Sequence, residues 1–217
     1  MSTTATLADL RRLLADRFPT SPTRDGRVVA SGIAAVDDAL GGGFGTGTFT
    51  EIVPSAPSCG GQLLIAALVE ATRAAGQRLA LLDAADAFTL DTLGDDDALT
   101  AHLVWFRSPS LKAFWQVADI VLRDANFAAV VMDLRTLPER EVRRTPATTW
   151  YRLQRAIEQS EAAVVVHTDF ATVPCAARRL VLAEPLTMAA FKTPRRELQA
   201  ALRPELHLQR NHRRVAG

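Results

Sequence analysis

Residues 49–64 read Phe49-Thr50-Glu51-Ile52-Val53, then Pro54-Ser55-Ala56-Pro57-Ser58-Cys59-Gly60-Gly61-Gln62, then Leu63-Leu64. A β-prone run enters a loop of small residues, and an apolar pattern at helical spacing leaves it. Strand, glycine-bearing loop and helix in this order are the setting of the motif G-x-x-x-x-G-K-[ST]. There, backbone N–H groups curl around phosphates, lysine reaches the β and γ oxygens, and a hydroxyl holds Mg²⁺. Counted without a gap from Val53, Gly60 stands at the lysine place and Gly61 at the hydroxyl place. With one inserted residue, Gly61 and Gln62 stand there instead. Either register lacks both groups, and Pro54 and Pro57 remove two N–H donors. For Ser58, Cys59, Gly60, Gly61 and Gln62 two readings stay open: weak anion binding at a helix N-terminus, or a plain glycine-rich strand-to-helix turn.

Outward from this loop, apolar β-type runs alternate with helical patterns. Strands are expected at 48–53, 78–83, 102–106, 128–133, 162–167 and 179–183, and helices at 61–75, 111–123 and 148–159, with Ser110 capping the second helix. The strand runs are nearly continuous Val, Ala, Leu and Ile. That pattern marks strands buried on both faces, hence an α/β fold with a mostly parallel central sheet covered by helices. Residues 31–40 predict a short helix stopped by Gly41-Gly42-Gly43. Upstream, Leu7, Leu10, Leu13 and Leu14 recur at helical spacing over 6–17, and Phe18-Pro19 ends that helix. The expected division is an N-terminal helix and linker at 1–25, a core domain at 26–185 and a basic C-terminal segment at 186–217. The stretch 205–214 reads as a final strand ending in a basic tag.

A chain of 217 residues with 48% hydrophobic content suits one compact domain. No apolar stretch reaches 18 residues and no secretory signal pattern opens the chain, so neither a membrane span nor export is expected. Cys59 and Cys175 suit neither zinc nor a disulfide framework, which fits a reduced cytoplasmic setting with no metal site. The net charge of +1 hides an asymmetry. From residue 176 onward, nine Arg or Lys face three acids, about +6, leaving about −5 for the rest. A basic end on an acidic body points to an anionic partner, nucleic acid or an acidic protein face. A solvated arginine-rich surface is the competing reading.

In such sheets ligands sit at the carboxyl ends of strands, and the polar residues there match one family in order and spacing. Ser31-Gly32-Ile33-Ala34-Ala35-Val36-Asp37-Asp38-Ala39-Leu40-Gly41-Gly42-Gly43 precedes the loop. Leu81-Leu82-Asp83-Ala84-Ala85-Asp86 ends the next strand, Ala128-Ala129-Val130-Val131-Met132-Asp133 matches the family's Walker B strand, and Ala163-Val164-Val165-Val166-His167-Thr168 matches the strand that in the family leads into a DNA-binding loop. Over roughly residues 1–185 the chain resembles the RecA-like recombinase core. Its small size, basic end and altered loop look most like the ImuA branch, whose members act with an inactive polymerase-like partner, ImuB, in DNA-damage mutagenesis.

The resemblance implies particular roles. In the family a glutamate two residues after the strand-end aspartate orients the attacking water, and here that place is Ala85. Asp133 keeps the Walker B position, and His167 replaces a polar sensor. No ATP hydrolysis and no cofactor are therefore expected. Residues 134–146 correspond to the first DNA loop, with Arg140, Arg143 and Arg144 as candidate contacts. The second loop is short and ends near Arg178 and Arg179. With Arg210, Arg213 and Arg214, these make the candidate DNA or partner surface. The leucine helix at Leu7, Leu10, Leu13 and Leu14 is a candidate for homo-oligomerisation. The resulting expectation is a non-catalytic adaptor in translesion mutagenesis, with an ImuB-like partner and with RecA and DNA as further partners. The alternatives are a nucleotide-binding enzyme using Asp86 and Asp133, and a simple DNA-binding module.

Overall fold

The structure, a computed structural model, describes residues 27–93 and 100–208. The predicted helix with Leu7, Leu10, Leu13 and Leu14, and the tail residues Arg210, Arg213 and Arg214, lie outside the described residues. In chain order the elements are β1 (Val28–Val29), α1 (Ala34–Leu40), β2 (Phe44–Gly45), β3 (Phe49–Pro54), α2 (Gly61–Ala74), β4 (Leu79–Asp83), β5 (Leu103–Arg107) and α3 (Leu111–Val121). They continue with β6 (Ala129–Asp133), α4 (Glu139–Arg143), α5 (Ala147–Ser160), β7 (Ala163–His167), β8 (Arg178–Leu182), α6 (Arg195–Ala200) and β9 (Pro204–Leu208).

Seven strands form one sheet in the order β5-β4-β6-β7-β3-β8-β9. Every neighbouring pair is parallel except β8–β9, which is antiparallel. The unbroken apolar runs have the cause expected of them: β4, β6 and β7 are buried at every residue. Alternate side chains enter two separate cores. Ala129 and Val131 point to the side covered by α1 and α2, while Val130 and Met132 point to the side covered by α3 and α5. On that second side Phe114, Trp115, Trp150 and Phe49 form an edge-to-face chain with centroids 5.0–6.0 Å apart, a geometry favoured by ring quadrupoles. Ser110 caps α3, accepting from the Ala113 N–H at 3.2 Å.

The division at residue 185 does not hold. β9 completes the main sheet beside β8, and Leu202 is buried in the first core among residues of α1 and α2. Residues 186–208 therefore belong to the same packed unit, because the outer face of β8 needs a neighbour and the α2 side needs a cover. The β9 register, with Leu208 opposite Arg178, returns the chain to the end of the sheet where the parallel strands begin.

One buried charge organises the centre. Glu51 of β3 is fully buried and accepts from the Thr172 and Val173 N–H groups at 2.6 and 2.9 Å and from Arg179 Nε at 2.7 Å. It pins the β7–β8 crossover to the sheet. Removing one partner of a buried pair strands the other charge. Arg179→Met is therefore expected to lower unfolding stability in urea by about 3 kcal/mol; a loss within experimental error would show that the pair does not hold the crossover.

Candidate functional site

Strand register brings the chemistry-bearing residues into one row. Asp83 of β4 lies opposite Asp133 of β6, Asp133 opposite His167 of β7, and His167 opposite Ile52 of β3, two residues before the loop. This row lies at the carboxyl edge of the sheet, facing the first turn of α2. A cavity of about 990 Å³ opens there, lined by the loop residues Ser58, Cys59, Gly60, Gly61 and Gln62 together with Arg135, His167 and Asp169.

Each side chain in the row is already engaged or hemmed in. The carboxylate of Asp83 accepts from the Ala85, Ala87 and Phe88 N–H groups at 3.3, 2.9 and 3.0 Å, so it shapes its own loop. Asp133 is fully buried and binds Arg135, two residues on: Arg135 Nε donates at 2.9 Å, Nη2 donates to the second oxygen, and the Arg135 backbone N–H donates at 3.1 Å. Burial alone would lower the Arg135 pKa. Its hydrogen bond and charge contact with Asp133, with Asp169 and Asp83 behind, raise it above the usual arginine value. Next to Arg135, the Thr136 N–H donates to Asp169 Oδ2 at 2.9 Å, which ties the β6 and β7 loops together.

The loop is bonded to its own chain. The Ser55 N–H donates to Leu182 O at 2.9 Å and Ser55 Oγ donates to Ala183 O at 2.6 Å, while the Leu186 N–H donates to Ser58 O at 2.9 Å. Gln62 Nε2 donates to Ala87 O at 2.6 Å and joins α2 to the Asp83 loop. Gly60 has φ +85, and a Cβ there would stand 2.4 Å from Leu202 Cδ2; a Cβ on Gly61 would stand 2.0 Å from His167 Cε1. At these two positions a leucine and an imidazole leave no room for a side chain.

A magnesium ion at the Walker B position does not fit these residues. A Mg²⁺ ion at Asp133 would have to displace a two-pronged arginine, and any side chain at Gly61 would overlap the His167 ring. Ala85, at the place of the water-orienting glutamate, brings no carboxylate. Asp86 has φ +54, and its exposed carboxylate faces Arg107 at 3.9 Å.

The candidate contact surface is only partly realised. Arg140 and Arg144 are exposed, on α4 and at its end. Arg143 is also exposed but pairs with Glu139 at 2.6 Å and lies over the Phe170 ring at 4.9 Å. Arg178 and Arg179 correct the expectation. Arg179 is drawn inward by buried Glu51, and Arg178 Nη1 caps the α1 carboxyl end by donating to Leu40 O at 2.9 Å. The segment read as a second DNA loop is a packed crossover with Val173 and Ala176 buried. The roles of Arg135 and Leu202 were missed. A signal existed for the first, since residues i and i+2 of an extended chain share a side.

No family model matches the chain, and no curated protein matches it. Among solved structures, it is similar to the crystal structure of the RadB recombinase, with a TM-score of 0.58 and 17% identity, covering 74% of this chain and 85% of that one. At this identity the likeness concerns fold: the chain has a RecA-like α/β fold with a mostly parallel seven-stranded sheet.

Two outcomes test the packing. Gly61→Ala is expected to destabilise by about 2 kcal/mol through overpacking, with most of the loss relieved in a His167→Ala background; equal losses in both backgrounds would contradict the contact. Burial, reinforced by Arg135 and opposed by Asp169, holds the His167 pKa well below 6.5. The unfolded chain then takes up the proton first as pH falls, so stability is full above about pH 6.5 and declines below it. His167→Gln is expected to flatten that decline in urea titrations at stepped pH.

Proposed function

We propose that this chain is a non-catalytic RecA-like adaptor in a bacterial DNA-damage-tolerance complex, acting with an ImuB-like polymerase-fold partner. The observation that carries this reading is that the chain's own groups are engaged where ATPase groups would act: Arg135 binds Asp133, and His167 and Leu202 leave no room for a side chain at Gly61 and Gly60. A fold kept without those reactive groups is of use as a surface. The RecA-like fold, and the resemblance of the small size, basic end and altered loop to the ImuA branch, support DNA-damage tolerance as the setting.

A second reading, direct DNA binding, is favoured by Arg140 and Arg144, which are exposed and make no ion pair among the described residues. The two readings are compatible, since a phosphate contact adds affinity without sequence preference.

Co-purification with an ImuB-like protein tests the first reading. A chain ending at residue 208 keeps β9 in place while removing the basic tail. The full chain is expected to retain the partner; failure to retain it overturns the adaptor reading, and unchanged retention by the shortened chain removes the tail from the interface. For DNA, Arg140→Gln with Arg144→Gln is expected to reduce the log–log salt slope of binding by about 2. An unchanged slope excludes both arginines as phosphate contacts.

A further inference from the structure

The cavity along the loop has a chemistry of its own. At about 990 Å³ it is at the upper end of the range of ligand sites. Leu63, Leu186, Ala190 and Leu198 give it apolar walls. His167 also lines it, is 1% exposed, and has no hydrogen-bond partner on either ring nitrogen among the described residues. An imidazole in its neutral form offers one donor and one acceptor. Buried polar groups ordinarily have partners, so this ring points to a ligand able to give one hydrogen bond and take another.

Charge narrows the class further. Arg135 and Asp169 are the charged residues on the walls. The guanidinium is turned onto Asp133, so its charge is answered within the protein. Asp169 is exposed, so its carboxylate sets the sign. An anionic ligand would meet that carboxylate without a spare cation, whereas a basic group would find a counter-ion. Met188, 82% exposed and adjacent to the lining residue Thr187, adds an adaptable apolar surface beside the site.

We propose that this cavity docks an apolar segment of a partner protein, with a backbone amide paired to His167 and a basic residue facing Asp169. Successive peptide units of a backbone offer both the N–H and the carbonyl that the two ring nitrogens require, and leucine-sized side chains suit the walls. The site rests on the adaptor reading for the identity of the partner, but its chemistry can be tested without that partner.

The full chain, with its histidine rings ¹⁵N-labelled, is titrated with N-acetyl-leucyl-lysine amide and with N-acetyl-leucyl-glutamate amide. The lysine peptide is expected to shift the His167 ring resonances saturably and to bind at least about tenfold more tightly than the glutamate peptide. Ala190→Trp, which fills the cavity from its half-buried rim, and Leu198→Arg, which places a cation in it, are expected to abolish the response while the melting temperature confirms folding. Equal binding of the two peptides, or a response that survives both substitutions, overturns the proposal. With an ImuB-like protein, retention by the wild type and loss in Ala190→Trp supports it. Equal retention by wild type and both variants overturns the cavity as docking site and leaves the adaptor reading standing. A peptide response with no retention by the wild type supports the site and removes the adaptor reading.

Discussion

The packing of the His167 ring against the backbone of Gly61 is the constraint on which the functional centre depends. A P-loop works only if the first turn of its helix faces open space that phosphates can enter. Here His167 of the adjacent strand packs on the backbone of Gly61 and, one residue earlier, Leu202 from the far end of the described chain packs on Gly60, while a cavity of about 990 Å³ stays open along the loop. Both contacts need glycine at the receiving position, so these glycines and the side chains that pack on them are one arrangement. The Arg135–Asp133 pair extends it by engaging the buried carboxylate at the end of β6.

The sheet holds its fold independently of the row at its carboxyl edge. Its interior is two apolar cores and the buried Glu51–Arg179 pair. The carboxyl edge is left as a shaped surface on which Asp83 and Asp133 are bonded within the chain while the His167 ring is not. The exposed arginines of α4 lie on the same edge, because they follow the end of β6. The chain leaves β9 at the opposite end. The basic residues that looked like one patch in sequence are thus divided between inward-facing structural partners, an exposed helix and a tail beyond the described residues.

Much of the fold was legible in the sequence because it rests on local signals. Unbroken apolar runs announced buried parallel strands, Ser110 announced a helix start, and Gly60-Gly61 without lysine announced an altered loop. The meaning of those glycines was not legible, since it comes from His167 and Leu202, more than a hundred residues away in sequence. Arg178 and Arg179 misled for a similar reason. Their charge is visible in the sequence, but their partners Leu40 and Glu51 are set by tertiary pairing. The place of residues 186–208 was hidden because their composition is basic and broken by prolines, while what fixes them is an open sheet edge and the α2 side of the core.

Arg135 on Asp133 and glycines in place of side chains at positions 60 and 61 leave the loop without the groups that hold Mg²⁺ and nucleotide. Titration calorimetry of the full chain with ATP and Mg²⁺ is expected to give no saturable heat up to about 1 mM nucleotide. Saturable binding that requires Mg²⁺ and is weakened by Asp133→Ala would contradict it.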